Sequence, residues 1–297
     1  MIDLERLRDT AAGRPFAFVV GWPIRHSLSP ALHGHWLARH RLDGLYGRLA
    51  LEPTAPGLDA LADFLRATPN ARGCNLTLPH KVAFLSRVDR VEPLAARMGA
   101  VNTIVRHADG SLEGRNTDGY GFLEALRQGA PGWRPKTPAL LLGAGGAARG
   151  IAVTLLEAGC PELRIANRTR ATAEKLRDDL VAAGVSTGIT VIDWEDRGGA
   201  LAGAGLLVNA TSLGMKGGLP LDMPLDALSA EGVVNDIVYV PLETDLLRNA
   251  GARGLTAVDG LGMLLHQGRP GFETWFNQPV AVDAALRAAV LAARETS

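Results

Sequence analysis

Residues 140–150 read LLLGAGGAARG, and this stretch decides how the rest of the chain is interpreted. An apolar run ends in a glycine turn, after which a helix is predicted to begin, giving the order strand, turn, helix. Gly143 permits the tight turn, Gly145 has no side chain to keep a pyrophosphate away, and Ala147 lets the helix pack close to the sheet. Because glycine turns also join strands to helices for steric reasons alone, the motif needs support from its surroundings.

Composition predicts a globular chain that binds a small ligand. Its 297 residues are 47% hydrophobic, which is enough for two cores of ordinary size, so two domains are expected. Lysine plus arginine and aspartate plus glutamate balance at 31 each, so no basic field for nucleic acid or an anionic membrane is predicted. The expected ligand is a small, neutral-to-anionic molecule.

Cysteines and apolar runs indicate the compartment. Cys74 and Cys160 lie far apart without the spacing of metal ligands, so we interpret them as small buried residues in a reducing environment and predict no metal site. No apolar run approaches the roughly 18 residues of a membrane span, and no secretory signal is recognised. A cytoplasmic location is expected.

Lysine is scarce, and its positions are therefore informative. It occurs only at Lys81, Lys136, Lys175 and Lys216, while arginine supplies the rest of the 31 basic residues. Where a chain prefers arginine for solvation, a lysine can be present because its pKa is lower and more easily shifted. Lys81 is the candidate for such a role, and a merely solvated charge is the alternative.

The first half of the chain predicts a mainly parallel sheet. Strands are predicted over 16–21, 46–52 and 72–78, with a helix over 58–67. Such sheets bind ligands at the carboxyl ends of their strands, where Asn75, Thr77, His80 and Lys81 fall. Antiparallel strands around an Asp109-Gly110 turn are expected to close this domain.

Two positions at helix starts are candidates for ligand binding. The Ser29-Pro30 step predicts a helix with Ser29 as its N-cap. Ser27 and Ser29, beside free helix N–H groups, could hold a carboxylate, and ordinary capping is the alternative. Asp118 precedes another predicted helix, where it is either an N-cap or a residue at the crossing between domains.

The second half predicts a doubly wound sheet. Strands are expected over 139–142, 163–166, 189–194, 206–209, 233–237 and 255–258. The second of these ends in Asn167-Arg168-Thr169, where NAD enzymes carry an acid for the ribose hydroxyls. Arginine beside small polar donors instead suits a 2′-phosphate, and a solvated Arg168 is the alternative. Helices are predicted to Trp275 and from about Val280 to Arg294.

Nine motifs, taken in order, resemble the shikimate dehydrogenase family over nearly the whole length. They are GWPIRHSLSPALHG at 21–34, GCNLTLPHK at 73–81, GAVNTI at 99–104, GRNTDGYGF at 114–122, GAGGAAR at 143–149, NRT at 167–169, NATSLGM at 209–215, VNDIVYVPLETDLL at 234–247 and DGLGMLLHQ at 259–267. The resemblance implies an α/β substrate-binding domain over 1–117, completed by C-terminal helices over 260–297. It also implies a Rossmann NADP-binding domain over 118–259, with a cleft between the two.

The resemblance also implies roles for individual residues. Ser27 and Ser29 would hold the substrate carboxylate, and Lys81 would be the catalytic acid and base beside Asp118. The ring and its hydroxyls would be surrounded by Thr77, Asn102, Asp118, Tyr239 and Gln267. The pyrophosphate would lie on Gly143, Ala144, Gly145, Gly146 and Ala147, the adenosine phosphate on Asn167, Arg168 and Thr169, and the nicotinamide against Ile237, Gly260 and Met263.

The residue types suit the implied reaction, the reversible reduction of 3-dehydroshikimate. Reduction of a ring ketone needs a hydride on carbon and a proton on the developing alkoxide, and NADPH supplies only the hydride. An ammonium can stabilise that oxygen and release a proton to it near neutral pH, whereas a guanidinium cannot. This explains a lysine in a chain that otherwise prefers arginine.

Some positions depart from the family pattern and leave alternatives open. Trp22, Gly34 and His80 stand where other residues are common, which bears on substrate selectivity. A second basic residue often follows Arg168 where this chain has Thr172, and Arg170 is the candidate to replace it. The alternatives are a quinate or quinate/shikimate dehydrogenase that uses NAD or both cofactors, and a catalytically silent metabolite sensor. The chain is expected to be a monomer or a homodimer.

Overall fold

The computed structural model describes residues 4–185 and 188–295. The chain divides into two compact units: unit 1 comprises Met1–Thr117 and Gln267–Ser297, and unit 2 comprises Asp118–His266. Among the described residues, none of the helices has both the length and the apolar character needed to cross a bilayer.

Unit 1 contains a six-stranded mixed sheet. Its strands are β1 (Phe16–Gly21), β2 (Leu45–Ala50), β3 (Ala71–Leu76), β4 (Arg90–Val91), β5 (Thr103–Arg106) and β6 (Leu112–Arg115), in the order β2-β1-β3-β5-β6-β4. β1 pairs in parallel with both β2 and β3, whereas β5 is antiparallel to β3 and to β6. The predicted parallel sheet and its antiparallel hairpin are therefore confirmed. Every residue of β1 is buried, as expected of a central parallel strand.

Helices cover this sheet. They are α1 (Leu4–Ala11), α2 (Ser29–Arg39), α3 (Ala55–Ala67), α4 (His80–Ala83), α5 (Pro93–Met98) and, near the end of the chain, α11 (Ala284–Glu295). A core of buried side chains from β1, β3 and α3 includes Phe16, Phe18, Leu61 and Leu65.

Two predicted helix starts were wrong. Leu28, not Ser29, occupies the N-cap position of α2, and the Ser29 N–H donates instead to the Ser27 hydroxyl at 3.3 Å. α11 begins at Ala284 rather than near Val280. The Asp283 carboxylate accepts a hydrogen bond from the Leu286 N–H at 3.0 Å, and this cap determines where the helix begins.

Unit 2 contains a six-stranded parallel sheet. Its strands are β7 (Ala139–Leu142), β8 (Leu163–Ala166), β9 (Ile189–Ile192), β10 (Leu206–Asn209), β11 (Val233–Asp236) and β12 (Thr256–Val258), in the order β12-β11-β10-β7-β8-β9. Its helices are α6 (Asp118–Gly129), α7 (Gly146–Glu157), α8 (Arg170–Ala182) and α9 (Asp245–Ala252), and α10 (Leu261–Phe276) contributes residues to both units. The doubly wound sheet is confirmed, and its strand order reverses between β7 and β10, where such folds bind ligands.

Candidate functional site

One edge of the unit 1 sheet collects the polar residues predicted for the substrate. The loop with Ser27 follows β1, and Thr77 follows β3. Because β5 runs antiparallel to β3, Asn102 at the start of β5 lies at this same edge. A Cβ on Gly21 would come within 2.5 Å of the Thr77 methyl carbon, so the glycine leaves room for the threonine.

The two serines form a short polar turn. The Ser27 carbonyl accepts a hydrogen bond from an Arg48 guanidinium N–H at 2.9 Å. The Ser27 hydroxyl accepts a hydrogen bond from the Ser29 N–H. Ser29 is only 6% exposed, whereas Ser27 is partly exposed. Arg48 therefore fixes the backbone of the turn and adds positive charge near it.

Lys81 lies on the short helix α4 and is partly buried. Its carbonyl accepts a hydrogen bond from the Val101 N–H at 2.9 Å, which ties the helix to the residue before Asn102. The neighbouring His80 is completely buried, and burial lowers the pKa of its imidazole. His80 is therefore a buried packing residue of α4.

The amide of Asn102 has a fixed orientation. Its Oδ1 accepts hydrogen bonds from the Thr117 N–H at 2.8 Å, the Thr117 hydroxyl at 3.1 Å and the Thr103 hydroxyl at 2.9 Å. Its Nδ2 donates to Gln267 Oε1 at 3.4 Å. The carbonyl end thus faces protein donors, and the side chain presents N–H groups on the side of Gln267.

A second layer of buried polar groups lies behind Asn102. The Tyr46 hydroxyl donates to Asn75 Oδ1 at 2.6 Å, and Asn75 Nδ2 donates to the Asn102 carbonyl at 3.2 Å and to the Thr103 hydroxyl at 3.1 Å. We call Tyr46, Asn75, Thr103, Asn102 and Thr117 the amide network. Tyr46 was not among the predicted site residues. The signal that could have found it is the amide Asn75 within the buried run 73–76 of β3.

An aromatic cluster packs against the amide network. The His33 ring stacks on the Tyr46 ring with centroids 3.9 Å apart and planes 11° apart, and Trp36, Phe272 and Trp275 surround it. Burial lowers the pKa of His33 to about 3, so the ring is neutral at physiological pH. Burial likewise raises the pKa of the Tyr46 hydroxyl, which keeps its proton available to Asn75.

In unit 2 the glycine turn follows β7. Gly143 has a φ of +105°, and a Cβ there would come within 2.9 Å of the Ala210 carbonyl oxygen, so the turn itself requires glycine. At Gly145 and Gly146 a Cβ would meet no protein atom within 4 Å. Protein packing therefore does not explain the missing side chains at these two exposed positions. A ligand that approaches the backbone does explain them.

The helix after this turn has no side-chain cap. Gly145 is the N-cap residue of the 12-residue helix α7, and its first turn carries no acidic residue. Ala144 is partly exposed and Ala147 is exposed. A helix start of this kind favours an anion, because its N–H groups and the helix dipole both attract negative charge.

The turn after β8 carries the predicted adenosine-phosphate residues. Asn167 Nδ2 donates to the Thr169 carbonyl at 2.9 Å, and Thr169 is the N-cap residue of α8 without a side-chain cap. Arg168 between them is exposed. Arg170 instead binds two carboxylates, Asp193 at 2.7 Å and Glu174 at 2.8 Å.

A buried carboxylate holds the loops after β10 and β11. Asp236 accepts hydrogen bonds from Asn209 Nδ2 at 2.9 Å, the Val238 N–H at 3.0 Å and the Thr244 hydroxyl at 2.7 Å. Burial raises the pKa of Asp236, and these three donors oppose the rise. Asn209 Oδ1 also accepts from Thr211. Asn209 and Asp236 were missed as site supports, although both are polar residues that end apolar strands.

The remaining predicted residues belong to unit 2, apart from Gln267. A Cβ on Gly260 would come within 2.2 Å of the Ile237 carbonyl oxygen, so these two residues are in direct backbone contact. Met263 is partly buried on α10, and burial raises the pKa of Tyr239. Asp118 is the first residue of α6. Within the described ranges, His, Cys, Asp and Glu form no group suited to a metal ion.

The parallel sheet of unit 2, with its bare glycine turn at the switch point, defines a protein with a Rossmann-type fold. Three family profiles match the chain: "Shikimate dehydrogenase substrate binding domain" over 19–104, "Shikimate / quinate 5-dehydrogenase" over 132–213 and "Shikimate 5'-dehydrogenase C-terminal domain" over 260–290. The chain belongs to the shikimate dehydrogenase family.

Relatives support this assignment over nearly the full length. Shikimate dehydrogenase (NADP(+)) of Paramagnetospirillum magneticum is 53% identical over 278 residues, covering 93% of this chain and 97% of the relative. The enzyme of the same name from Rhodospirillum rubrum is 55% identical, covering 93% and 96%.

Solved structures are similar as well. Shikimate 5-dehydrogenase of Thermus thermophilus, in complex with NADP(H) and shikimate, has a TM-score of 0.79 at 38% identity and covers 95% of this chain and all of its own (100%). Quinate dehydrogenase of Corynebacterium glutamicum, in complex with NAD, has a TM-score of 0.85 at 29% identity, with 94% and 99% covered.

Proposed function

We propose that this chain is an NADP-dependent shikimate dehydrogenase that reversibly reduces 3-dehydroshikimate to shikimate in chorismate and aromatic amino acid biosynthesis. The observation that carries the proposal is identity above 50% to two relatives of that name over 93% of the chain. The quinate dehydrogenase alternative is not favoured, because the similar quinate enzyme is only 29% identical. A silent sensor is not favoured either, since the close relatives are named as enzymes.

We assign the substrate to the polar edge of unit 1. Ser27 and Ser29 would bind the carboxylate, a role that the nearby positive charge of Arg48 supports. The fixed amide of Asn102 would donate to a ring hydroxyl. The other residues assigned to the ring are Thr77, Gln267, Asp118 and Tyr239.

Lys81 is assigned the proton chemistry. When bound, the reduced nicotinamide supplies a hydride to the ring carbonyl carbon. The Lys81 ammonium donates a proton to the carbonyl oxygen as negative charge develops there, and the neutral amine takes it back in the reverse direction. Asp118 would accept a hydrogen bond from a substrate hydroxyl and orient the ammonium. A carboxylate can accept without competing as a donor.

The cofactor is assigned to unit 2. The turn at 143–147 would hold the pyrophosphate, and Asn167, Arg168 and Thr169 would bind the adenosine phosphate. Ile237, Gly260 and Met263 would border the nicotinamide. The residues fit this group because a Cβ at Gly145 or Gly146 would lie in open space, and because arginine replaces the acid that would repel a 2′-phosphate.

The domain roles, the compartment and the assembly complete the proposal. The substrate-binding domain would be built on unit 1 and the NADP-binding domain on unit 2. Two free, buried cysteines support a reducing, cytoplasmic setting. The expected monomer or homodimer can be tested by size-exclusion chromatography with light scattering.

The test is a four-way steady-state assay with shikimate or quinate and with NADP or NAD. The highest kcat/KM is expected for shikimate with NADP. A higher kcat/KM for quinate with NAD would replace the proposal by its alternative. No turnover with any of the four pairs would contradict an enzymatic function.

A further inference from the structure

We propose that Lys216, and not Arg170, supplies the second positive charge that selects NADP over NAD. This inference rests on the proposed function and adds a residue to it. The motif after β8 supplies one exposed arginine, Arg168, and the sequence pattern favoured Arg170 as the second cation. The structure shows two different surroundings for Arg170 and Lys216.

Arg170 is poorly suited to a phosphate. Its Nε lies 2.8 Å from a Glu174 oxygen and one of its terminal nitrogens lies 2.7 Å from an Asp193 oxygen. The three side chains together carry one net negative charge. Exposed ion pairs are weak and can open, but the two carboxylates would remain beside the guanidinium and repel a dianionic phosphate.

Lys216 shares a surface pocket with Arg168. The pocket has a volume of about 330 Å³, and none of the described residues that line it is acidic. Besides the two cations, its lining includes Ser212, Met215 and Leu219. Two cations in one pocket whose described lining has no acidic side chain form a site that suits a phosphate.

The backbone holds Lys216 in a defined turn. Its N–H donates to the Val240 carbonyl at 2.9 Å, and the flanking Gly214 N–H donates to the Leu219 carbonyl at 2.8 Å. Gly217 adopts a φ of +78°, which lets the chain turn directly after the lysine. The position of the lysine Cα is therefore set by the fold rather than by a loose loop.

The apolar part of the pocket fits the rest of an adenosine phosphate. Met215 is 48% exposed and Leu219 is 65% exposed, and both lie beside the two cations. Large exposed apolar side chains commonly mark a binding surface. A purine would pack against these apolar side chains, and a 2′-phosphate would lie between the cations Arg168 and Lys216.

Two substitutions separate the candidates. Lys216→Gln is expected to raise the KM for NADP about tenfold, the scale of losing one hydrogen bond to a charged group, and to leave the KM for NAD and the kcat at saturating NADP unchanged. Arg170→Gln is expected to leave the ratio of the two KM values within twofold of wild type. Lys136→Gln removes an exposed lysine elsewhere in unit 2 and is the matched control.

A binding measurement checks the same inference without turnover. Calorimetry should show that Lys216→Gln weakens 2′,5′-ADP about tenfold and leaves 5′-AMP unchanged, while Lys216→Arg retains most of the affinity. An unchanged affinity for 2′,5′-ADP in Lys216→Gln, or a loss in Arg170→Gln, would overturn the inference. Wild-type enzyme that reduces 3-dehydroshikimate with NADPH would still support the proposed function in either case, whereas wild type without that activity would contradict the function itself.

Discussion

The substrate edge of unit 1 and the glycine turn of unit 2 are built in opposite ways. In unit 1 the amide network is formed by buried side chains: Asn75, Asn102 and Thr103 are each no more than 5% exposed, and their donors and acceptors are matched to one another. In unit 2 the turn consists of backbone, with Gly145 and Gly146 exposed and open space where their side chains would be.

This difference teaches what each region can tolerate. A polar side chain in the amide network cannot be removed without leaving a buried partner unsatisfied, which lowers the free energy of unfolding as well as ligand affinity. A Cβ added at Gly145 would meet no protein atom within 4 Å, so it should reduce cofactor affinity more than stability. Four predictions follow, in order of expected effect.

The largest loss of activity is expected at Lys81, which belongs to unit 1. Lys81→Ala should lower kcat at least about hundredfold, the scale of general acid catalysis, while shikimate binding stays measurable. Steady-state kinetics and a binding titration check this, with Lys136→Ala as the control. A near-normal kcat in Lys81→Ala would remove the residue from the mechanism.

The next effect separates two glycines of one turn. Gly145→Ala should raise the KM for NADP by roughly tenfold and lower the melting temperature only slightly, because the added Cβ meets no protein atom within 4 Å and the remaining cost is that of replacing glycine at a helix N-cap. Gly143→Ala should destabilise the protein more, since its φ of +105° and the nearby Ala210 carbonyl exclude a side chain. Thermal unfolding and cofactor titration measure the two effects. An equal loss of stability in both variants would contradict this interpretation.

In the amide network, Tyr46→Phe removes one hydroxyl and little volume. Asn75 Oδ1 would lose its donor, so we expect a loss of about 1–3 kcal/mol in the free energy of unfolding, with a several-fold higher KM for shikimate. The KM for NADP should not change. Urea unfolding and kinetics measure these effects, and an unaltered stability would show that Tyr46 does not support the network.

The smallest effect concerns His33. Its pKa is about 3 in the folded protein against 6.5 in the unfolded chain, so between these pH values the unfolded chain binds the extra proton. Stability from this group is complete above pH 6.5 and falls on acidification by about 1.4 kcal/mol per pH unit. His33→Phe should show a shallower decline between pH 6 and 5 in urea unfolding, while exposed His26→Gln should not. Identical slopes in wild type and His33→Phe would contradict this account.

Much of the fold could be predicted because strands such as β1, β7 and β8 are short, mainly apolar runs bounded by proline, glycine or polar residues. Their bounds agree with the structure to the residue. The first residues of the helices were harder to predict. The cap of α11 depends on one carboxylate, Asp283, and the start of α2 differs by one residue from the serine that favoured it.

The site could be predicted only in part, and the reason is distance along the chain. Tyr46 and Asn75 are 29 residues apart, and Asn209 and Asp236 are 27 apart, so no local pattern links them. Asn209 and Asp236 meet because β10 pairs in parallel with β11 and sets these two residues side by side. Tyr46 and Asn75 come together because their strands, β2 and β3, both pair with β1. The surroundings of Arg170 depend on Asp193, 23 residues further along the chain, for the same reason.

The fixed Asn102 amide has a consequence for inhibitor chemistry. We assign this side chain as a hydrogen-bond donor to a ring hydroxyl. An analogue with a methyl ether at that carbon keeps an oxygen that can accept the hydrogen bond, so it should still bind. An analogue with an ammonium at that carbon has no acceptor, and its N–H groups would face the N–H groups of Asn102. It should therefore bind poorly. Compounds aimed at this enzyme should therefore keep an oxygen at the position facing Asn102.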